Sequence, residues 1–120
     1  MIEILPESGG NVLAVRAGEK LTDADYKETF IPNLEKVIAQ HGKARLLFDC
    51  GENFRGWEPK AAWDDAKYGI KHRNDFEKIA VVGAGRWIEW ATKLDAHFIG
   101  GEVKVFPKDQ LKDAMEWIKA

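Results

Sequence analysis

Apolar and polar residues alternate over Met1-Ile2-Glu3-Ile4-Leu5, the period of a strand with one face buried. Ser8-Gly9-Gly10-Asn11 is a turn cluster, and strand character resumes over Asn11-Val12-Leu13-Ala14-Val15-Arg16-Ala17, so the two segments predict a hairpin. The period then changes. Thr22-Asp23-Ala24-Asp25 offers a hydroxyl cap with an acid three residues on, and Tyr26, Phe30, Leu34, Val37, Ile38 and His41 follow at helical spacing. The spacing predicts a helix to about His41-Gly42, kinked or broken at Pro32, where a backbone donor is missing. Ala44-Arg45-Leu46-Leu47-Phe48-Asp49 is short and apolar, the pattern of a buried third strand.

A loop over Cys50-Gly51-Glu52-Asn53-Phe54-Arg55-Gly56 leads to a second helix starting near Trp57-Glu58-Pro59, where proline suits the first turn. It carries Ala62, Trp63, Ala66 and Ile70 along one face and ends around Arg73-Asn74. Lys78-Ile79-Ala80-Val81-Val82 predicts a fourth strand, closed by Gly83-Ala84-Gly85. The third helix, from about Arg86 to Phe98, puts Trp87, Trp90, Ala91, Leu94 and Phe98 on one stripe, which Ile88 widens. Gly100-Gly101 stops it, Glu102-Val103-Lys104-Val105-Phe106 is a fifth strand, and Asp109 to Ala120 is a closing helix. The order β-β-α-β-α-β-α-β-α predicts an α/β fold: a mostly parallel sheet of about five strands, an antiparallel hairpin at its edge, and four helices. With no linker, repeat or low-complexity tract, residues 1–120 read as one domain.

Composition narrows the function. Eighteen Lys/Arg against 20 Asp/Glu, a net charge of −2, make nucleic acid a poor partner. Neither a run of about 18 apolar residues nor a leader pattern is found, so the expected location is cytoplasmic, with peripheral membrane association as the alternative. One cysteine excludes an internal disulfide and a cysteine-based zinc site. Among hydroxyl side chains of the Ser/Thr type there are only Ser8, Thr22, Thr29 and Thr92.

Open α/β sheets place their sites outside the carboxyl ends of the strands. That rim contains Asp49 to Trp57, Gly83 to Trp87 and Pro107-Lys108. Gly83-Ala84-Gly85 between a strand and a helix suggests a dinucleotide fingerprint, but the position that needs a small residue holds Ile88, and no cofactor is expected. Cys50 sits at a strand end, yet His41, His72 and His97 all fall at other helix ends, so a thiol nucleophile lacks a base and no catalytic residue is assigned. The histidines do not pair at ligand spacing, and no metal site is expected.

Aromatics carry more. Four of the five tryptophans, Trp57, Trp63, Trp87 and Trp90, lie within 34 residues. Each buried aromatic removes about 150–250 Å² from water, more in total than a small sheet needs to cover itself. Either these side chains pack between the helices and over the sheet, or the second and third helices enclose an apolar pocket or present an apolar face. From Trp57 to Phe98 seven Lys/Arg balance seven Asp/Glu, so any lipid attraction must be local. In the functional reading Trp57, Trp63, Trp87 and Trp90 form an apolar wall with Phe54 and Ile70 beside it, and Lys67, Lys71 and Arg86 meet a head group. A regulatory module or homodimer using the same face on a protein partner is the alternative.

The chain resembles the SpoIIAA-like small proteins, a branch of the STAS superfamily also described as STAS/Sec14-like. The likeness rests on the element order, on Gly56-Trp57-Glu58-Pro59 followed by Trp63, and on Lys71-His72-Arg73-Asn74-Asp75-Phe76 running into Ile79-Ala80-Val81-Val82-Gly83. Trp87, Trp90 and Glu102-Val103-Lys104-Val105-Phe106 complete it. STAS anti-sigma-factor antagonists carry a phosphorylatable Ser or Thr just after the third strand. The matching positions here are Asp49-Cys50-Gly51-Glu52, with no Ser or Thr between Thr29 and Thr92, so the phosphoswitch does not transfer. What the resemblance implies is a non-enzymatic module that holds a small hydrophobic ligand, or associates with membrane, through the helices after the third and fourth strands.

Overall fold

Ser8 closes the first turn: its hydroxyl accepts the Ala14 N–H at 2.8 Å and donates to the Ala14 carbonyl at 3.1 Å. The turn lays β1 (Ile2–Ile4) antiparallel to β2 (Val12–Ala17), with Ile4 opposite Val15, as the hairpin pattern predicts. The computed structural model describes residues 2–51, 54–58, 60, 74–83 and 102–120, with the backbone alone at Trp57.

Beyond β2, Glu19 takes a left-handed φ of 54° and turns the chain into the two-residue β3 (Lys20–Leu21). Thr22 then builds the expected cap. Its hydroxyl accepts the Asp25 N–H at 3.1 Å while its own N–H donates to Asp25 Oδ2 at 2.9 Å, a reciprocal capping box. The expected break at Pro32 is instead a change of winding. Asp25–Phe30 form a π-helical stretch in which the Ile31 N–H reaches back to the Tyr26 carbonyl, and α1 (Ile31–His41) takes over. Pro32 therefore falls in the first turn of α1, where a missing donor is tolerated. The Asn33 side-chain amide adds a donor at the junction, 2.6 Å from the Thr29 carbonyl. Gly42, at φ 79°, ends the helix.

The third, fourth and fifth predicted strands are β4 (Ala44–Cys50), β6 (Phe76–Val82) and β7 (Glu102–Phe106). Each of the first two is longer than its apolar run suggests. With β1 and β2 they form one sheet in the order β1-β2-β4-β6-β7, parallel except for β1. The closing helix is α2 (Leu111–Lys119), entered through a 3-10 turn at Lys108–Gln110, so it begins two residues later than expected. The other two predicted helices lie outside the described residues, apart from the start of the second.

Side-chain alternation sends the sheet's apolar residues to two cores. Leu13, Val15, Leu46, Phe48, Ile79 and Val81 meet Tyr26, Phe30 and Leu34 on one face. Val12, Ala14, Leu47, Ala80, Val82 and Phe106 meet Ala114 and Ile118 of α2 on the other. Burial on both faces explains why β4 reads as a nearly continuous apolar run. At the amino end of the sheet the β4–β6 register slips by one residue, Ala44 facing Phe76 and Arg45 facing Lys78. The extra residue is Glu77. This bulge lets Glu77 pair with Arg45 while Lys78 donates to the Trp117 carbonyl at 3.2 Å. Arg45 also donates to the Ile118 carbonyl at 3.1 Å, so two cations rooted in the sheet serve the orphan carbonyls at the end of α2.

Candidate functional site

The parallel strands end together, at Ala17, Cys50, Val82 and Phe106, and backbone hydrogen bonds knit the loops that leave them. Gly51 donates to the Ala17 carbonyl at 2.9 Å, and Gly83 donates to the Phe106 carbonyl at 2.9 Å. Both glycines are required by close approach. A Cβ on Gly51 would stand 3.1 Å from the Ala17 carbonyl oxygen, and one on Gly83, whose φ is +71°, 3.1 Å from that of Cys50.

The loop after β4 is shaped by a turn in which the Phe54 N–H returns to the Gly51 carbonyl at 3.0 Å. It then meets the segment after β2: Arg55 donates to the Glu19 carbonyl and Glu58 to the Leu21 carbonyl, each at 2.8 Å. Between these bonds lies β5 (Gly56–Trp57), parallel to β3. The helix expected to start near Trp57 thus begins later. The Trp57 backbone is held extended opposite Leu21, and helical structure is reached at Lys60. Sequence reading missed the β3–β5 ribbon because neither two-residue strand has a period of its own; pairing alone defines it. Lys60 Nζ lies 3.4 Å from Asp23 Oδ2, a second tie between the two loops.

Phe54 is the predicted site residue whose side chain is described. It is partly buried and packs edge-on against Phe48, ring centroids 6.4 Å apart, and Phe48 in turn lies 6.2 Å from Phe30. An aromatic row thus runs from the helix layer out to the rim. Trp57 follows Phe54 by three residues, on β5. Trp63, Lys67, Ile70, Lys71, Arg86, Trp87 and Trp90 lie outside the described residues, as do His72 and His97.

The rim residues with reactive side chains are occupied otherwise. Cys50 is 1% exposed, and burial, with the Asp49 charge beside it, pushes its thiol up to about 12. A thiol so protonated is a packing group, not an activated nucleophile. Asp49 points to the opposite face, buried, and accepts from Arg16 Nε at 2.9 Å across the β2–β4 pair. That hydrogen bond raises the Arg16 pKa further, so the guanidinium is charged at every working pH. Thr22, just after β3, has its hydroxyl engaged in a cap, and Ser8, at the opposite end of the sheet, has its own engaged in the β1–β2 turn. Among the described residues no three or more His, Cys, Asp or Glu side chains converge as metal ligands. No helix among them is long and apolar enough to cross a membrane.

Comparison with known proteins fits this architecture. A family model described as SpoIIAA-like matches residues 12–119. Among solved structures, the chain is similar to an uncharacterized protein of the DUF3478 family with a SpoIIAA-like fold from Shewanella loihica. The two are 37% identical over 98% of this chain and 93% of that chain, with a TM-score of 0.71. No curated protein matches the chain.

Proposed function

The chain belongs to the SpoIIAA-like family, and from that premise we propose that it is a non-enzymatic binding module for a small hydrophobic molecule or a lipid surface. The binding region is the carboxyl rim of the sheet and the aromatic segments that follow β4 and β6. One observation carries the reading: Phe54 stands partly exposed on the Phe48–Phe30 row at the point where the tryptophan-rich part of the chain begins. An apolar ligand entering there meets aromatic surface on the sheet side. Trp57, Trp63, Trp87 and Trp90, with Ile70, supply the rest of the wall, and Lys67, Lys71 and Arg86 meet an anionic head group. The buried thiol of Cys50 and the engaged Thr22 support binding rather than covalent chemistry at the described part of the rim.

Tryptophan emission during titration with neutral and anionic phospholipid vesicles tests this. A saturable blue shift is expected, reduced when Trp87 and Trp90 are both replaced by Leu in a protein that keeps its circular dichroism. Emission unmoved by vesicles, together with no apolar molecule extracted from the purified protein, would overturn the proposal and favour a protein partner.

A further inference from the structure

The sheet has two edges, and they differ. β1 is three residues long, with Glu3 at its centre beside Arg16. Pairing two β1 strands about that centre would set carboxylate against carboxylate. β7 is five residues long, contains no proline and lies at the other end of the strand order.

Its backbone phase can be read from one bond. Because Gly83 donates to the Phe106 carbonyl, the polar groups of Phe106 point inward to β6, and so by alternation do those of Lys104 and Glu102. The N–H and C=O of Val103 and Val105 therefore point outward, and among the described residues nothing pairs with them. The usual guard of such an edge is a lysine. Here Lys104 folds over the α2 face instead, its ammonium 5.2 Å from the Phe106 ring and 6.0 Å from that of Trp117.

We propose that β7 pairs antiparallel with β7 of a second copy of this chain, joining two sheets about a two-fold axis at Val103. The charge pattern selects this register. With Val103 opposite Val103, the two valines exchange both backbone hydrogen bonds, and Glu102 falls opposite Lys104 twice, once on each side of the axis. These Glu–Lys positions are non-hydrogen-bonded pairs, where side chains stand closest. Sliding by one pleat sets Lys104 against Lys104 and is repulsive. An isologous contact of this kind closes as a dimer and does not propagate. Two five-residue strands bury less than the roughly 1,200 Å² of a stable complex, so the association is weak, with Kd in the range of about 10–500 μM. The inference rests on the β7 backbone and its charges and does not depend on the binding function.

Sedimentation equilibrium from about 10 μM to 1 mM is the test. The wild type is expected to dimerise with a Kd in that range. Lys104→Glu is expected to weaken the dimer about tenfold or more, because both attractive pairs become repulsive. The swap Glu102→Lys with Lys104→Glu is expected to restore it. Val103→Pro, which removes only an outward donor, is expected to leave a folded monomer. A wild type monomeric at 1 mM overturns the proposal. So does a dimer indifferent to Lys104→Glu, or a double swap no better than the single variant when both have native circular dichroism.

Discussion

At Cys50 one buried sulfur sets two measurable behaviours. Its thiol titrates near 12 in the fold against an ordinary value of 9.0. At pH 8 it is thus almost wholly protonated, and labelling by a thiol reagent is expected only through opening of the fold, far slower than for the denatured chain. The same shift makes stability depend on pH. Below 9.0 both states carry a neutral thiol and nothing is lost; above it the unfolded thiol ionises first. Stability from this group therefore falls as pH rises from 9.0 toward about 12. Denaturant midpoints of wild type and Cys50→Ala, compared at pH 8 and pH 10, check it: the gap between the two is expected to narrow at the higher pH. Cys50 is thus a protonated filler of the core.

Elements in this chain are begun and ended by specific side chains. The Thr22–Asp25 box starts the first helix, and Thr22→Ala is expected to cost about 1 kcal/mol of stability, read by urea denaturation. Asp25 is held below its ordinary carboxylate value. Burial alone would raise it, and hydrogen bonding led by the Thr22 amide more than reverses that. A lowered carboxylate stabilises above its ordinary value of 3.8 and loses that contribution as pH falls through the folded value. Asp25→Asn, which cannot titrate, is therefore expected to lose less stability than wild type between pH 5 and pH 2, read by urea denaturation at the two pH values. The π-helical stretch after the cap has a different cause. Pro32 cannot donate inside a regular helix, and one wide turn places it where α1 begins. The proline was legible as an interruption. Which kind it would be depended on Tyr26 and Phe30 both reaching the sheet, a demand made by packing.

Across the whole molecule, contacts distant in sequence complete what local elements begin. Arg45, on β4, donates to the Ile118 carbonyl 73 residues away, and Lys78 reaches Trp117. Arg45→Ala leaves the last carbonyls of α2 with fewer donors and Glu77 with no Arg45. Hydrogen exchange is expected to show faster exchange of α2 amides while α1 is unchanged. At the rim, Phe54 was legible as a site candidate, and so was the place where the strands end. The β3–β5 ribbon and the Lys60–Asp23 pair were not, because each joins segments that carry no repeat or motif.

Periodicity and residue type were enough to assign the hairpin, the parallel strands, the Thr22 cap and the terminating Gly42, because each follows from burial or hydrogen bonding within a few neighbouring residues. Strand order, the bulge at Glu77, the extended backbone at Trp57 and the direction of the β7 edge came only from the assembled sheet. Each of these is a matter of which backbone groups find partners far along the chain. A local pattern states the need for such partners without saying where they are.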